Sequence, residues 1–259
     1  MVDNHLMLRK TWSELVIPET VHAGFPMKKA RGTLQQRAYQ RIKEYILNTG
    51  FYPGQHIRHV EVSRALGMSR TPAREAMQRL VEEGLVIHVP NRGYFVTEMT
   101  VREAEELYEL REILEVFCVQ QAIDKSTKKQ LRGLRQLLDV YKDSTSGRIT
   151  RHTLLVDRDF HLKIAQLARN EMVYKLLVSV LEKVIMKRNI ERIAPSDAKT
   201  AFKRHAVILK AIENRDKPQA VQQIREHIRH GKMRVLQQVN RKNGLWLGNA
   251  VDGAHTPLL

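Results

Sequence analysis

Apolar residues in the first part of the chain recur at helical spacing. Every fourth residue from Leu34 to Ile46 is apolar, which predicts a helix with one buried stripe. The pattern predicts two more helices, at about 59–66 and 69–83, with one glycine at the corner between them and another after the second. Two short β-rich runs around a Gly-containing turn follow within residues 85–97, which predicts a hairpin.

From Thr100 the pattern is helical nearly to the end of the chain, and capping signals at Thr100, Thr127 and Asp216 mark three helix starts. The predicted helices lie near 100–124, 127–144, 151–169, 171–193, 197–214 and 217–239. The expected fold class is mainly α, an N-terminal winged helix-turn-helix followed by an antiparallel all-α helical bundle. The predicted segments are an N-terminal arm (1–33), the winged helix-turn-helix (34–98), the helical domain (99–240) and a C-terminal tail (241–259).

Composition narrows the class of partner. The 259 residues carry a formal net charge of +16, which favours a polyanionic partner and leaves DNA, RNA and an anionic membrane surface open. The single cysteine, Cys118, excludes an internal disulfide framework and fits a reducing compartment. No apolar run approaches the roughly 20 residues that span a bilayer. We therefore expect a cytoplasmic protein that does not enter the membrane.

The second helix of the helix-turn-helix begins with hydroxyl and guanidinium groups. Such a helix enters the major groove by its N-terminal end, where free N–H groups and the helix dipole favour phosphate and arginine can bind guanine. At the hairpin tip, glycine permits close approach to a DNA strand. The candidate DNA contacts are Ser69, Arg70, Thr71, Arg74, Arg92 and Gly93. The alternative is a solvated helix face and an ordinary tight turn.

Four polar residues interrupt the apolar stripes of the helical domain. Asp157 and His161 are one turn apart, and His205 and His227 lie in or beside stripes of their own. One carboxylate and three imidazoles directed inward would suit a borderline divalent ion such as zinc, nickel or manganese. From periodicity alone, hydrogen-bonded core histidines are the commoner explanation of such a pattern.

Two further residues are candidates for binding an effector. Arg111 shares a helix face with apolar residues and is expected to point into the bundle, where it either pairs with Glu115 or binds a ligand carboxylate. Asn170 either lines the same pocket or caps the helix that follows it.

The DNA-binding segment resembles the GntR family of bacterial regulators. The resemblance rests on residues 52–54 (YPG), residues 66–76 (LGMSRTPAREA), residues 80–86 (LVEEGLV) and Arg92-Gly93. It implies that Arg70, Thr71, Arg74 and Gly93 contact DNA. Val60 departs from the pattern, because some relatives have an arginine there, and Arg58 or Arg64 is the candidate substitute.

The helical domain resembles the FCD (FadR C-terminal) ligand-binding domain of the FadR/VanR type. The resemblance rests on residues 157–161 (DRDFH), 204–205 (RH) and 225–228 (REHI). It implies that Asp157, His161, His205 and His227 hold a divalent metal, with zinc as the first expectation and nickel or manganese as alternatives. It also implies a small organic-acid effector, because domains of this type bind small organic acids; some bind acyl-CoA instead.

The resulting hypothesis is a homodimeric transcriptional regulator, with repression as the expected mode. It binds a double-stranded DNA operator, and an effector carboxylate near the metal changes its affinity. One rival is a metal-dependent hydrolase fused to a DNA-binding module, although the sequence offers no further general base, nucleophile motif or phosphate-binding loop. The other rival hypothesis is an RNA-binding or membrane-surface protein.

Overall fold

The computed structural model of the protein describes residues 33–49, 51–145, 149–188 and 193–250. The N-terminal part contains short helices and a small sheet. In chain order these are α1 (Leu34–Thr49), β1 (His56–Ile57), α2 (His59–Ala65), α3 (Arg70–Glu82), β2 (Val86–Val89) and β3 (Gly93–Val96). The helical part follows, with α4 (Val101–Lys125), α5 (Lys128–Ser144), α6 (Arg151–Leu167), α7 (Glu171–Met186), α8 (Pro195–Glu213) and α9 (Lys217–Ala250).

Helices α1 and α2 support α3, and the hairpin lies beside it. Both α2 and α3 end in a glycine with positive φ, Gly67 at 60° and Gly84 at 70°. After α3, Leu85 N–H bonds to Leu80 O and Gly84 N–H to Val81 O, which is a Schellman ending. The chain therefore turns sharply at both predicted glycines. The three strands are antiparallel in the order β1-β3-β2, so the sheet forms the expected wing.

The helical part is a bundle centred on α4, which packs against α6, α7 and α9. Its core includes Val119, Phe160 and Ile208, all essentially inaccessible to water. Thr127 and Gln130 form a reciprocal capping box at the start of α5. Asp216 Oδ1 accepts a hydrogen bond from Gln219 N–H at the start of α9. The predicted helix starts at 127 and 216 are thus confirmed.

The structure differs from the sequence prediction in one strand and at two helix ends. Strand β1 was not expected, because two residues carry no periodic signal. Helix α7 stops at Met186 instead of continuing to 193. Helix α9 runs to Ala250, so the predicted tail at 241–259 is wrong for 241–250; glycine in a helix costs only about 1 kcal/mol relative to alanine and does not break it. Residues 251–259, and the predicted arm at 1–33 apart from Thr33, lie outside the described residues.

One apolar cluster joins the DNA-binding part to the bundle. It contains core residues of the winged helix-turn-helix, such as Ile42 and Phe51, together with residues of the bundle. The bundle contributes Ile149, Leu154, Ile185, Met186, Ile193 and Ala198. The two parts therefore share a continuous hydrophobic contact.

Arg151 crosses this contact at the first position of α6. Its side chain is buried and donates hydrogen bonds to Phe51 O, at 2.9 Å, and to Ile185 O. Burial lowers the pKa of Arg151 to about 10. The bond to Ile185 O also satisfies a carbonyl in the last turn of α7, which gives a tertiary reason for α7 to end earlier than its apolar pattern suggests.

An ion-pair network makes a second link between the two parts. Lys43 on α1 lies 3.0 Å from Glu83, which caps the C-terminus of α3, and 2.7 Å from Glu182 on α7. Burial disfavours the Lys43 charge, but Glu182 and Glu83 outweigh it and raise the Lys43 pKa. The Arg79 guanidinium covers the Tyr39 ring at 3.9 Å, and Tyr39 donates a hydrogen bond to Glu83. The C-terminal end of α3 is thus tied to α7 through α1.

Replacing Arg151 should destabilise this contact. Arg151→Met keeps the length of the side chain but removes the hydrogen bonds to the carbonyls of Phe51 and Ile185, which should cost about 1–3 kcal/mol. Thermal and urea unfolding would measure the loss. The matched control is Arg132→Met, on an exposed position of α5, where little change is expected. Equal stability of the two variants would contradict the bridging role of Arg151.

Candidate nucleic-acid interface and candidate metal centre

The predicted DNA-contact residues of α3 stand at its exposed N-terminal end. Ser69 occupies the N-cap position, and its side chain makes no capping hydrogen bond. Arg70, Thr71 and Arg74 are exposed, whereas Pro72 and Ala73 beside them are buried against the supporting helices. The unpaired N–H groups of the first turn therefore face the same side as two guanidinium groups, a combination suited to phosphate and base edges.

The local field at this end of α3 is positive. His59 at the start of α2 has its pKa lowered by partial burial and then by the charges of Arg70 and Arg74. Arg58 and Arg64 are both exposed, and Arg58 lies 3.1 Å from Glu61. This end of the domain therefore concentrates cationic groups where a nucleic acid would approach.

The wing presents Arg92 at its tip. Arg92 is exposed, and its guanidinium lies 5.5 Å from the centroid of the Phe95 ring. Gly93 has a φ of 93°, and a Cβ there would stand 2.9 Å from His56 Nε2. The positive φ therefore favours glycine at this position of the turn. The stacking of His56 on Phe95, at 4.8 Å between centroids, holds the base of the wing.

The four predicted metal-ligating residues converge in the bundle. Asp157 and His161 come from α6, His205 from α8 and His227 from α9, and one donor atom from each lies within 4.8 Å of the others. The Nε2 atoms of His161 and His205 are 3.1 Å apart, and Asp157 Oδ1 is 3.6 Å from His205 Nε2. All three histidines are buried. The helices therefore assemble a compact donor set from three separate segments.

A carboxylate behind the cluster orients His161. Glu115 Oε2 lies 2.5 Å from His161 Nδ1, so the Nε2 lone pair is directed into the cluster. Glu115 also accepts a hydrogen bond from Arg111. Burial alone would raise the pKa of Glu115, but the charges of Arg111 and His161 hold it well below its usual value. The sequence pattern indicated Glu115 only as a partner of Arg111, because the contact of Glu115 with His161 depends on the packing of α4 on α6.

The donor set fits a borderline divalent ion. Burial lowers the pKa of His205 to about 3 and that of His227 well below its ordinary value, so both imidazoles are neutral, as metal ligands must be. The Nδ1 atoms of His205 and His227 are buried without a hydrogen-bond partner among the described residues. Ordinary core histidines are normally hydrogen-bonded, so the arrangement favours metal ligands over the core interpretation.

A cavity of about 40 Å³ adjoins the cluster, with room for about three water molecules when each needs about 10–15 Å³. Asp157 and His227 line it, and Arg111 reaches it from α4. Arg111 is buried, and its Nη2 lies 2.9 Å from His161 Nε2. Arg111 therefore pairs with Glu115, which was one of the two roles predicted for it. The same side chain also reaches the cavity.

Asn170 does not belong to this cavity. Its Oδ1 accepts a hydrogen bond from Val173 N–H at 3.1 Å, which caps the start of α7. It is not among the described residues that line the cavity. The prediction that Asn170 binds an effector is therefore not supported. The side chain caps α7, which was the alternative prediction.

Several lining residues were not found from the sequence. Tyr141 of α5 is buried, contacts His205 edge to face and hydrogen-bonds to Asp157. Burial, and then Asp157, raises the Tyr141 pKa. Arg188 and Arg234 also line the cavity. Tyr141 and Arg234 belong to stripes indistinguishable from other helix faces, and Arg188 follows the end of α7, so no local signal marks them.

Two family models match the chain. Residues 34–96 match the model described as bacterial regulatory proteins, gntR family, and residues 106–230 match the FCD domain. The chain is 34% identical to the Nta operon transcriptional regulator of Aminobacter aminovorans, over 54% of this chain and 67% of that protein. It is 27% identical to the HTH-type transcriptional regulator YdhC of Bacillus subtilis, over 74% of this chain and 86% of that protein.

Solved structures share the fold. The McbR/YncC structure from E. coli superposes with a TM-score of 0.72 at 22% identity, covering 80% of this chain and 99% of that one. A GntR transcriptional regulator from Rhodococcus superposes with a TM-score of 0.67 at 22% identity, covering 78% and 97%. Within the described ranges, no helix combines the length and apolar character needed to cross a bilayer.

Metal binding by the cluster can be measured directly. Protein purified without chelator should contain about one divalent ion per chain, and adding zinc to metal-free protein should raise its melting temperature by mass action. His205→Gln should abolish both effects, whereas His152→Gln, at an exposed position of α6, should keep them. Metal-free protein whose melting temperature ignores zinc, nickel and manganese would contradict the site.

Proposed function

Since the chain belongs to the GntR family of bacterial regulatory proteins and carries an FCD domain, we propose that it is an operator-binding regulator controlled by a metal-dependent carboxylate effector. Repression relieved by the effector is the proposed mode, and the proposed site of action is the cytoplasm. The observation that carries the DNA-binding part is the exposed N-terminal turn of α3, with Arg70 and Arg74 on one face of a protein with net charge +16.

In this proposal α3 enters the major groove by its N-terminus. Arg70 and Arg74 read base edges, and the Ser69 and Thr71 hydroxyls bind the flanking phosphates. The wing, with Arg92 at its tip and the backbone of Gly93 exposed by the lack of a side chain, follows the adjacent strand. The folded shape supports duplex DNA over RNA or a membrane surface, because one protruding helix end matches a groove.

The proposed metal ligands are Asp157, His161, His205 and His227. A bound ion would supply a positive charge that attracts a carboxylate. Because it would use the His161 Nε2 lone pair that Arg111 Nη2 contacts, we infer that Arg111 would then face the cavity. There its guanidinium, kept charged by Glu115, binds the effector carboxylate.

The effector cavity shares a wall with the contact between the two domains. Ile149, Leu154, Ile193 and Ala198 line the cavity and also belong to the apolar cluster that includes the core of the winged helix-turn-helix. Because packed interfaces move between discrete arrangements, an occupied cavity can shift the population of DNA-binding orientations. Arg151 begins the same helix that carries Asp157 and His161, which supports α6 as the connecting element.

A homodimer is part of the proposal, because two α3 helices are needed to read a two-fold operator. Neighbouring helices α4 and α7 expose large apolar side chains: Leu110, Ile113, Met172 and Leu176. Ile113 is 68% exposed and Met172 67%, and apolar side chains grouped on two neighbouring helices are typical of an interaction surface. We propose this α4/α7 face as the subunit interface.

The hydrolase alternative is not supported. Both matched families consist of regulators rather than enzymes. Among the described cavity residues, the acids are Asp157, itself a proposed ligand, and Asp197, which lies 3.5 Å from Arg234. Neither is placed as a separate general base for a metal-bound water.

Operator binding tests the recognition helix. An operator would be isolated from genomic duplex fragments and its affinity measured with single variants. Arg74→Ala should weaken binding about ten- to a hundredfold, because a bidentate base contact contributes about 1–3 kcal/mol. The exposed Arg132→Ala on α5 is the matched control and should leave affinity unchanged. Equal affinities would contradict the recognition-helix assignment, and preference for RNA or anionic vesicles would contradict the DNA proposal.

Oligomeric state tests the proposed interface. Ile113→Lys introduces a charge on the α4/α7 face and should convert the dimer to a monomer in light scattering, with a matching loss of operator affinity. Val140→Lys, at an apolar position of α5 that is 46% exposed, should leave the dimer intact. A dimer that survives the Ile113 change and dissociates with the Val140 change would overturn the assignment.

A further inference from the structure

The cavity beside the metal cluster is lined by more guanidinium groups than one carboxylate needs. Arg111, Arg188 and Arg234 all line it, from α4, the segment after α7, and α9. Their charges act on common groups: Arg188 and Arg234 both lower the pKa of Tyr141, although burial raises it overall. Three cations from distant parts of the chain thus converge on one small space.

The three guanidiniums differ in their protein partners. Arg111 is committed to Glu115 at the inner end. Arg234 donates to Asp197 O at 3.0 Å and lies 3.5 Å from the Asp197 carboxylate, with its side chain 20% exposed. Arg188 has no ion pair among the described residues, and its Nε is buried without a hydrogen-bond partner. A buried guanidinium nitrogen left unpaired is costly, so Arg188 is the group that lacks a ligand.

Charge counting gives the class of that ligand. The three guanidiniums are balanced by the three carboxylates beside them, Glu115, Asp157 and Asp197. The histidines that hold the metal count as neutral, because an imidazole must be unprotonated to bind a metal ion. A bound divalent ion therefore leaves two positive charges uncompensated in a largely buried space. A ligand carrying two negative charges neutralises them, whereas a monocarboxylate leaves one.

We propose that the effector is a compact dicarboxylate, with one carboxylate at the metal and Arg111 and the second between Arg188 and Arg234. This inference rests on the proposed effector site and specifies its ligand. The cavity volume of about 40 Å³ excludes a long acyl chain within the described walls, and a short diacid would extend from this cavity to its mouth. Because Arg234 is partly exposed, the second carboxylate lies at the mouth of the cavity. The site therefore selects its ligand by length.

The test compares diacids with their half-amides, because an amide keeps the shape of a carboxylate and removes its charge. Zinc-loaded wild-type protein would be titrated by calorimetry with succinate, glutarate and fumarate, and with succinamate, glutaramate and fumaramate. At least one diacid should bind about tenfold or more tightly than its half-amide, as expected for a charge-assisted contact to arginine. Metal analysis after each titration confirms that the ion is retained.

Variants then assign the preference to residues. Arg188→Gln should reduce the affinity of the preferred diacid to that of its half-amide and leave half-amide binding unchanged. Arg234→Gln should act in the same direction. The control is Arg229→Gln on α9, a 64% exposed arginine paired with Glu112, which should keep the full preference. Melting temperatures of the variants verify folding.

The outcomes separate this inference from the function on which it rests. Half-amides that bind as tightly as diacids would overturn the dicarboxylate assignment and leave a carboxylate effector in place. A diacid preference that survives Arg188→Gln and Arg234→Gln would overturn the placement of the second carboxylate. Wild-type protein that binds metal but none of the six acids would overturn both the inference and the proposed effector site.

Discussion

A buried ion pair organises the helical domain. Arg111 and Glu115 lie one turn apart on α4, both shielded from water, and either charge alone would carry a penalty of several kcal/mol at that depth. Because the pair compensates itself, Glu115 has an oxygen left to orient His161, and Arg111 has a nitrogen left to face the cavity. The donor cluster and the arginine that faces the cavity thus share one structural support.

Helix α6 connects this centre to the DNA-binding domain. It begins at Arg151, which bridges the two domains through backbone carbonyls, and it carries Asp157 and His161 farther along. A rigid helix cannot shift at one of these points without moving the other. The apolar wall of the cavity adds a direct contact, because its side chains also pack on the core beneath α3. The proposed effector site and the DNA-binding domain therefore belong to one packed unit.

The protein uses arginine in two opposite ways. At the N-terminal end of α3 and on the wing, Arg70, Arg74 and Arg92 are exposed, so that a bound polyanion would supply the counter-charge. In the bundle, Arg111 and Arg151 are buried and donate hydrogen bonds to a carboxylate or to carbonyl oxygens from other turns. In the proposed effector site, discrimination between ligands would depend on the second use, because a buried charge distinguishes sharply between a correct partner and none.

Local patterns determined much of the fold. The turn glycines Gly67 and Gly84, the capping residues Thr127 and Asp216 and the apolar stripes act within a few residues, so the sequence alone predicted most helices, the wing and the exposed front of α3. It also marked Asp157 and His161 as one face of a helix. Resemblance to known families brought His205 and His227 into the same set.

Only the tertiary structure decided what depends on distant segments meeting. The early end of α7 reflects a carbonyl satisfied by Arg151, more than thirty residues before it in the chain. Helix packing brings Glu115 into contact with His161 and makes Arg188 and Arg234 converge on one cavity. It also keeps Asn170 away from this cavity, so that its side chain caps α7. Periodicity predicts which face of a helix is buried. It does not predict which residues contact that face, because these contacts depend on how the other helices pack.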